Sequence, residues 1–409
     1  MQEFSVNPVL DNRLFVCDVE AREFGGRLYL YGTYGNDNSV FHVFSSDDLK
    51  NWIDHGVAFS VTDVKWIETK NLWAPDCVCV NGVYYLYYSI PSGEMGVAKS
   101  DTPFGPFVDL GKVNVNGIDP SVLIDDDGSA YVYWGQHDGV RVAKLKDNMT
   151  EIDENTISQP LTVKEHGMHE GSSVRKINGR YYYVYTDIHR RGRATCQGYS
   201  VSNNPLNGFE YKGIIVDSFA CDPESWNNHG CIQQYKGQWY IFYHRATHAV
   251  YGWDNPRQLC IEKISFDENG DINEVLPTSS GINDYINASN IIQGCSACAL
   301  TGSANIAKDE QSAHFLVVKN INSHNSIIYR YIKFNGENTV AINLKGHGQC
   351  RIDIYVDGKY HDFVSLTANM FFKNFKKSIK PIYGVCEIEF KFYGLFKDIT
   401  FNQFNFNKE

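Results

Sequence analysis

Along the first 280 residues the apolar positions gather into five short, dense runs, each entered through a glycine-containing turn. They read GGRLYLYGTY from Gly25, NGVYYLYYS from Asn81, DGSAYVYWG from Asp127, NGRYYYVYT from Asn178 and KGQWYIFYH from Lys236. Tyr, Val, Phe and Trp favour extended backbone, and Asn-Gly or Asp-Gly supplies the positive φ of a tight hairpin. The turn glycines Gly26, Gly82, Gly128, Gly179 and Gly237 recur at intervals of 46 to 58 residues, the length of one four-stranded sheet with its connections. Helical periodicity is almost absent. The pattern predicts an all-β fold in which residues 1–280 form a five-bladed β-propeller.

Past Pro277 the repeat stops. A stretch rich in Ser, Gly and Asn from Ser279 to Asn290 reads as a linker. Alternating segments follow at Ile327 to Phe334, Thr339 to Leu344, Arg351 to Val356 and Cys386 to Phe392. They predict a second domain over residues 288–409, a β-sandwich of the jelly-roll kind.

One polar residue stands a few positions before each turn: Asp18, Asp76, Asp119, Glu170 and His229. A single such Asp ordinarily satisfies turn amides. Their registration with the repeat points elsewhere, because the innermost strands of a propeller line one channel and bring equivalent positions together. Three carboxylates on one axis suit glycoside hydrolysis by inversion, which needs one carboxylate to activate water and one carboxylic acid to protonate the leaving oxygen. Asp18, Asp119 and Glu170 can supply both, the third carboxylate keeping the acid protonated.

Composition narrows the partners. A net charge of −11 disfavours polyphosphate and anionic lipid, so neither nucleic acid nor membrane is expected. No apolar run approaches the roughly 20 residues of a membrane-spanning helix. Met1 is followed by Gln2 and Glu3 instead of a basic and then apolar leader, from which a cytoplasmic location is expected. The eleven cysteines form an odd set with scattered spacing and read as free buried thiols. Cys295 and Cys298 make a C-x-x-C without the second pair that a zinc ribbon needs.

Taken together, NPVL at Asn7, CDVEAREFGGRLYLYGT, LWAPD ending at Asp76, GIDPSVLIDDDGSAYVYWG, HEGSSVRKINGRYYYVYT and NNHGCIQQYKGQWYIFYH resemble glycoside hydrolase family 43, the arabinofuranosidases, β-xylosidases and arabinanases. The likeness runs from about Asn7 to Pro277. It implies Asp18 as general base, Asp119 as the residue that orients and tunes the acid, Glu170 as general acid, and inversion of configuration. It also implies that Trp73 stacks on a sugar and that Arg257 donates to sugar hydroxyls, the alternatives being core burial and a surface salt bridge. His229 matches a channel-facing histidine that contacts a calcium ion through water; the alternative is an imidazole satisfied by a backbone carbonyl. No cofactor is required for the chemistry, and Ca2+ in the central channel is the one ion implied. Where the family has Ala-Asp-Pro this chain has Cys17-Asp18-Val19, so the loop is altered while the aspartate is kept. His169 receives no catalytic role; His244 and Arg245 end the last aromatic strand, and His248, Tyr251 and Trp253 follow on a loop over the cavity rim.

The C-terminal region, with EIEFKFYGLFKDITFNQFNF from Glu387, resembles family 6 carbohydrate-binding modules. All seven tryptophans lie at or before Trp253, so it has no Trp platform, and a structural role is the alternative. The expected function is an exo-acting α-L-arabinofuranosidase that releases arabinose from arabinoxylan or its oligosaccharides, with β-xylosidase as the alternative and a monomer as the expected state. A non-catalytic carbohydrate-binding propeller is the reading from a different class. It calls for the loss of a carboxylate, and all three are present.

Overall fold

A computed structural model of the chain describes residues 6–221, 228–246 and 257–409. Five antiparallel sheets stand in sequence order. The first comprises β1 (Val16–Phe24), β2 (Arg27–Tyr34), β3 (Val40–Ser46) and β4 (Ile53–Ser60). The second has β5 (Trp73–Val80), β6 (Val83–Ser89), β7 (Glu94–Ser100) and β8 (Val108–Asn116). The third has β9 (Ser121–Ile124), β10 (Ala130–Gly135), β11 (Val140–Lys144) and β12 (Ser158–Leu161). The fourth has β13 (Met168–Ile177), β14 (Arg180–Asp187), β15 (Cys196–Ser202) and β16 (Glu210–Asp217), and the fifth β17 (Cys231–Tyr235), β18 (Gln238–Ala246) and β19 (Arg257–Ile264). The first strands β1, β5, β9, β13 and β17 adjoin one another in a closed ring, which makes the sheets blades of a five-bladed propeller.

Four of the repeat turns are two-residue hairpins with positive φ at both centres: Gly25-Gly26, Asn81-Gly82, Asn178-Gly179 and Lys236-Gly237. The third differs. Asp127-Gly128 sits in a five-residue loop between Ile124 and Ala130, where the Gly128 amide donates to Asp125 and Asp125 in turn donates to Ser129.

The aromatic runs are continuous because both faces of each blade are covered, and neighbouring side chains point to opposite interfaces. Tyr29 and Tyr31 pack toward the second blade, while Leu28 and Leu30 pack toward the fifth. Val132 and Trp134 meet the second blade, and Tyr133 the fourth. Five separate apolar clusters thus fill the five gaps between blades.

The chain start closes the ring. Val9 donates its amide to Leu259 of β19 at 3.0 Å, and the Asn7 side chain, fully buried, donates to Glu262 at 2.8 Å and accepts from the Ile261 amide at 3.0 Å. This explains why NPVL belongs with the blade motifs although it precedes the first blade.

From Ile286 to Asn407 a separate eight-stranded sheet curls around its own apolar core, which contains Ile342, Leu344, Phe390, Phe401, Phe404 and Phe406. It meets the propeller along a seam of Phe15, Cys221, Cys295, Ile306 and Leu316. Arg245 is buried there, donating to the Ala297 carbonyl and toward Cys260 Sγ at 3.1 Å. Near the end of the last aromatic strand, as the sequence places it, it fastens the two parts together. All eleven cysteines are free, and only Cys79 is not fully buried.

Candidate active site

Asp18, Trp73, Asp119, Glu170 and His229 all lie at or just before the entering ends of the innermost strands, so they share one end of the channel. Asp18 and Asp119 are both held in left-handed backbone, at φ 51° and 57°. Residues with side chains seldom adopt that conformation, and it concentrates at functional sites. At Asp18 the pairing of β1 with β2 slips between Cys17 and Glu20, and the resulting bulge turns the carboxylate inward. After Glu170, Gly171 takes φ 77°, and any side chain there would stand 3.0 Å from the His229 ring. The closeness of blades four and five at this point therefore requires glycine.

The carboxylates are almost fully buried, Asp18 at 8%, Asp119 at 6% and Glu170 at 4% exposure, yet their environments differ. Arg257 grips Asp18 with both arms of its guanidinium, at 2.7 and 3.2 Å. The arginine expected to reach sugar hydroxyls, or to form a surface ion pair, is thus bound to the aspartate. Burial alone would raise the Asp18 pKa, but Arg257, then His229, His244 and the Thr33 hydroxyl outweigh it and hold the group well below the usual carboxylate range.

Asp119 accepts the Gly171 amide at 2.9 Å, and its own amide donates to the Ser89 hydroxyl at 3.3 Å. Ser89 also donates to the carbonyl of Trp73 at 3.2 Å, which ties the backbone of that half-buried tryptophan to the carboxylate. Burial and the charge of Asp18 push Asp119 up to about 7, against the Gly171 amide and Arg257. Glu170 is likewise raised to about 7, by burial and then by Asp119, against an amide N–H from Gln136 and the nearby His229. Asp119 and Glu170 therefore titrate as a pair near neutrality, with room for one proton between them. Among the described residues the Glu170 side chain is tethered by Gln136 Nε2 at 2.7 Å.

His229 accepts the Ser172 amide on Nε2 at 3.4 Å, which leaves Nδ1 as the protonated nitrogen. That nitrogen faces Asp18 at 3.7 Å and Asp119 at 3.9 Å. Its backbone partner is an N–H, not the carbonyl anticipated for a purely structural imidazole. Among the described residues no group of three or more His, Cys, Asp or Glu is arranged to hold a metal ion. The side chains present do not make a direct calcium cage, and no step below runs through an ion.

Asp76, the fifth residue of the axial series, does not join the others. Both its oxygens receive Arg22, at 2.9 and 2.7 Å, and the Val122 amide adds a third donor at 2.6 Å. Arg22 also pairs with Glu20, which is bound to Arg175.

Sequence reading passed over Gln136 and Thr33, although Gln136 directly ends the third aromatic run, in WGQH, at the height where other runs turn toward the channel. His244, near the end of the last aromatic strand, is buried, and its Nδ1 lies 3.5 Å from the amide of Asp18, which donates to it. His169 is half-buried beside His137, their rings 6.1 Å apart. His248, Tyr251 and Trp253 lie outside the described residues.

The family described as "Glycosyl hydrolases family 43" matches residues 5–272. The xylosidase/arabinosidase 43A of Humicola insolens is 30% identical over 330 residues, covering 65% of this chain and 98% of its own length. The structure of an α-L-arabinofuranosidase from Clostridium thermocellum superposes with a TM-score of 0.55 at 33% identity, over 66% of this chain and 95% of the other. That of a Bacillus subtilis arabinoxylan arabinofuranohydrolase in complex with cellotetraose gives a TM-score of 0.59 at 23% identity, over 98% and 97% of the two chains. At that identity the likeness concerns the fold, and it extends through the C-terminal sheet.

Proposed function

The chain belongs to glycosyl hydrolase family 43, a glycoside hydrolase of the arabinofuranosidase and β-xylosidase group, and from that premise we propose how its channel performs the reaction. Asp18, held ionised, is the general base that takes a proton from water. Glu170, held protonated by burial and by its neighbour, is the general acid that protonates the leaving oxygen. Asp119 keeps Glu170 protonated through its charge and fixes its backbone through the Gly171 amide. The single observation that supports this division is the opposite displacement of two buried carboxyl groups in one cavity: Asp18 down and Glu170 up. Attack by free water with no covalent intermediate inverts the anomeric centre.

Arg257 serves Asp18 first. It keeps the base ionised, and a sugar hydroxyl would share its remaining N–H groups. Trp73, at the channel mouth, offers a ring face to the sugar bound there. The substrate is a non-reducing terminal pentose, an α-L-arabinofuranosyl branch of arabinoxylan or of its oligosaccharides. The names of the Humicola insolens and Clostridium thermocellum relatives support this, and the former equally supports a β-D-xylosyl end. Parallel assays with p-nitrophenyl α-L-arabinofuranoside and p-nitrophenyl β-D-xylopyranoside, with Glu170→Ala as control, separate the two. Release from the arabinoside, abolished in the variant, supports the first; release mainly from the xyloside makes the protein a β-xylosidase.

For the C-terminal sheet we propose a role in holding polysaccharide. A cavity of about 240 Å3 opens on its outer face, lined by Asn343, Asn374, Lys376, Gln403, Asn405 and Asn407 around the small side chain of Ala341. Gln403, Asn343 and Asn374 stand side by side on three adjacent strands, which presents planar amide donors and acceptors in a row. Affinity electrophoresis of the Glu170→Ala protein in arabinoxylan gels, compared with Asn343→Ala/Gln403→Ala on the same background, tests it. Equal mobility of the two proteins in the gel means that this face does not hold the polymer.

A further inference from the structure

Asp119, the residue to which family likeness gives the task of orienting the acid, does not touch the Glu170 side chain. Its oxygen accepts the amide of the next residue, Gly171, and so fixes the backbone. The carboxyl group itself is steered from another blade. Gln136 follows the last residue of β10 in blade three, and its Nε2 lies 2.7 Å from Glu170 Oε2, in β13 of blade four. We propose that Gln136 is the positioning residue of the general acid: it occupies one carboxyl oxygen as acceptor and so reserves the other, Oε1, for the proton that leaves. This inference rests on the reading of Glu170 as the acid.

The chemistry requires such a choice. A carboxylic acid carries its proton on either oxygen, and only one of them can face the glycosidic oxygen. An amide N–H can only donate, so the oxygen it meets stays a carbonyl acceptor and the proton resides on its partner. In the reaction Glu170 Oε1 gives this proton to the leaving oxygen, which also takes the electron pair of the broken bond to the anomeric carbon. Water, losing a proton to Asp18, supplies the new bond to that carbon. Glu170 ends as a carboxylate with Gln136 still donating to Oε2, so no hydrogen bond need break during transfer.

The position is placed for the task. Gly135 precedes Gln136 with φ 156°, and the Gly135 amide donates to Ile118 immediately before Asp119, at 3.1 Å. One short stretch of blade three thus holds both the tuning aspartate and the steering amide. Next in the chain, His137 donates its amide to the carbonyl of His169 at 3.2 Å, a second fastening between the Gln136 turn and the strand carrying Glu170.

The charged and titratable groups that face Glu170 are Asp119 from blade three, Asp18 from blade one, and His229 and Arg257 from blade five, with His169 and His137 alongside. Gln136 is the uncharged donor among them, so replacing it changes no formal charge at the site. Because its N–H stabilises the ionised carboxylate, losing it moves the Glu170 pKa upward.

The experiment compares Gln136→Met, which keeps the length and volume of the side chain without its donor, with the parent and with Glu170→Ala. Each is assayed on xylobiose or an arabinoxylan oligosaccharide, whichever the parent cleaves, and on the 2,4-dinitrophenyl glycoside of the same sugar, whose leaving group departs without a proton. Expected for Gln136→Met is a fall in kcat of about tenfold to a hundredfold on the oligosaccharide, the cost of a misdirected acid, with KM near the parent value. On the dinitrophenyl glycoside less than a threefold change is expected, and on the oligosaccharide the basic limb of kcat/KM moves to higher pH. Gln136→Ala provides the same readings if the Met variant melts early. A loss equal on both substrates with an unmoved basic limb, or no loss on either, overturns the inference. Failure of the underlying reading looks different: Glu170→Ala would then lose activity on both substrates alike, or on neither.

Discussion

Two aspartates of neighbouring blades, Asp18 and Asp76, have opposite fates: Asp18 lies within the bulge of its strand, Asp76 beyond it at the register of Glu20, and the contrast separates the working end of the channel from its structural stretch. Asp76 is saturated by three N–H donors and locked between blades one and three. Through Arg22, Glu20 and Arg175 the same lattice reaches blade four and, by Gln233, blade five. Charges of both signs interlock there, and all five blades are stitched at the axis. At the other end, among the described residues, Asp18, Asp119 and Glu170 meet Arg257, His229, His244, the Thr33 hydroxyl, the Gly171 amide and Gln136, fewer donors than their oxygens could accept. Burial without full compensation is what shifts Asp119 and Glu170 toward neutrality. Aspartates at two heights of the same channel thus become a rivet or a proton carrier according to how many donors the adjacent blades supply.

The comparison can be broken first at its catalytic side. Glu170→Ala should reduce kcat/KM on an oligosaccharide by about 10²- to 10⁴-fold with an unchanged melting temperature. A protein that loses stability instead places Glu170 with the rivets. At the structural side, Arg22→Met strands the buried Asp76, leaves Glu20 with Arg175 alone, and is expected to cost about 3–5 kcal/mol of folding stability. Thermal and denaturant unfolding check this, and the surviving folded fraction should keep the parent pH profile. A folded variant with a displaced profile would show that the two ends are electrostatically one site. A smaller effect sharpens the boundary: Arg257→Met removes the strongest cationic partner of Asp18, so the base titrates at higher pH and the acidic limb of kcat/KM moves up. An acidic limb that stays in place would mean that Asp18 owes its low pKa to His229, His244 and Thr33.

Much of this architecture was legible in the sequence because it is periodic. Five aromatic runs after five glycine turns gave the blades, and registration with them led to Asp18, Asp119, Glu170 and His229. What escaped depends on contacts between blades, which no single repeat encodes. Asp76 stands before its turn like the others, but the strand bulge puts it at the register of Glu20, and its fate is decided by Arg22 from blade one and the Val122 amide from blade three. The fork of Arg257 closes on Asp18 across 239 residues of chain. Gln136 is an ordinary polar residue at a strand end until Glu170 is folded beside it. Arg245 reads only as the end of a strand in YHRAT, and what covers it is the curled C-terminal sheet, whose pattern shows no repeat.

The charge of Asp119 helps burial to hold the proton on Glu170, and the pH dependence of kcat/KM for the parent and for Asp119→Asn measures this. The account predicts a parent basic limb near pH 7, from the raised Glu170. Asn at position 119 removes the charge that opposes Glu170 ionisation, so the acid loses its proton at lower pH and the basic limb moves down, with kcat reduced. A basic limb that stays in place or moves up in Asp119→Asn would contradict the claim.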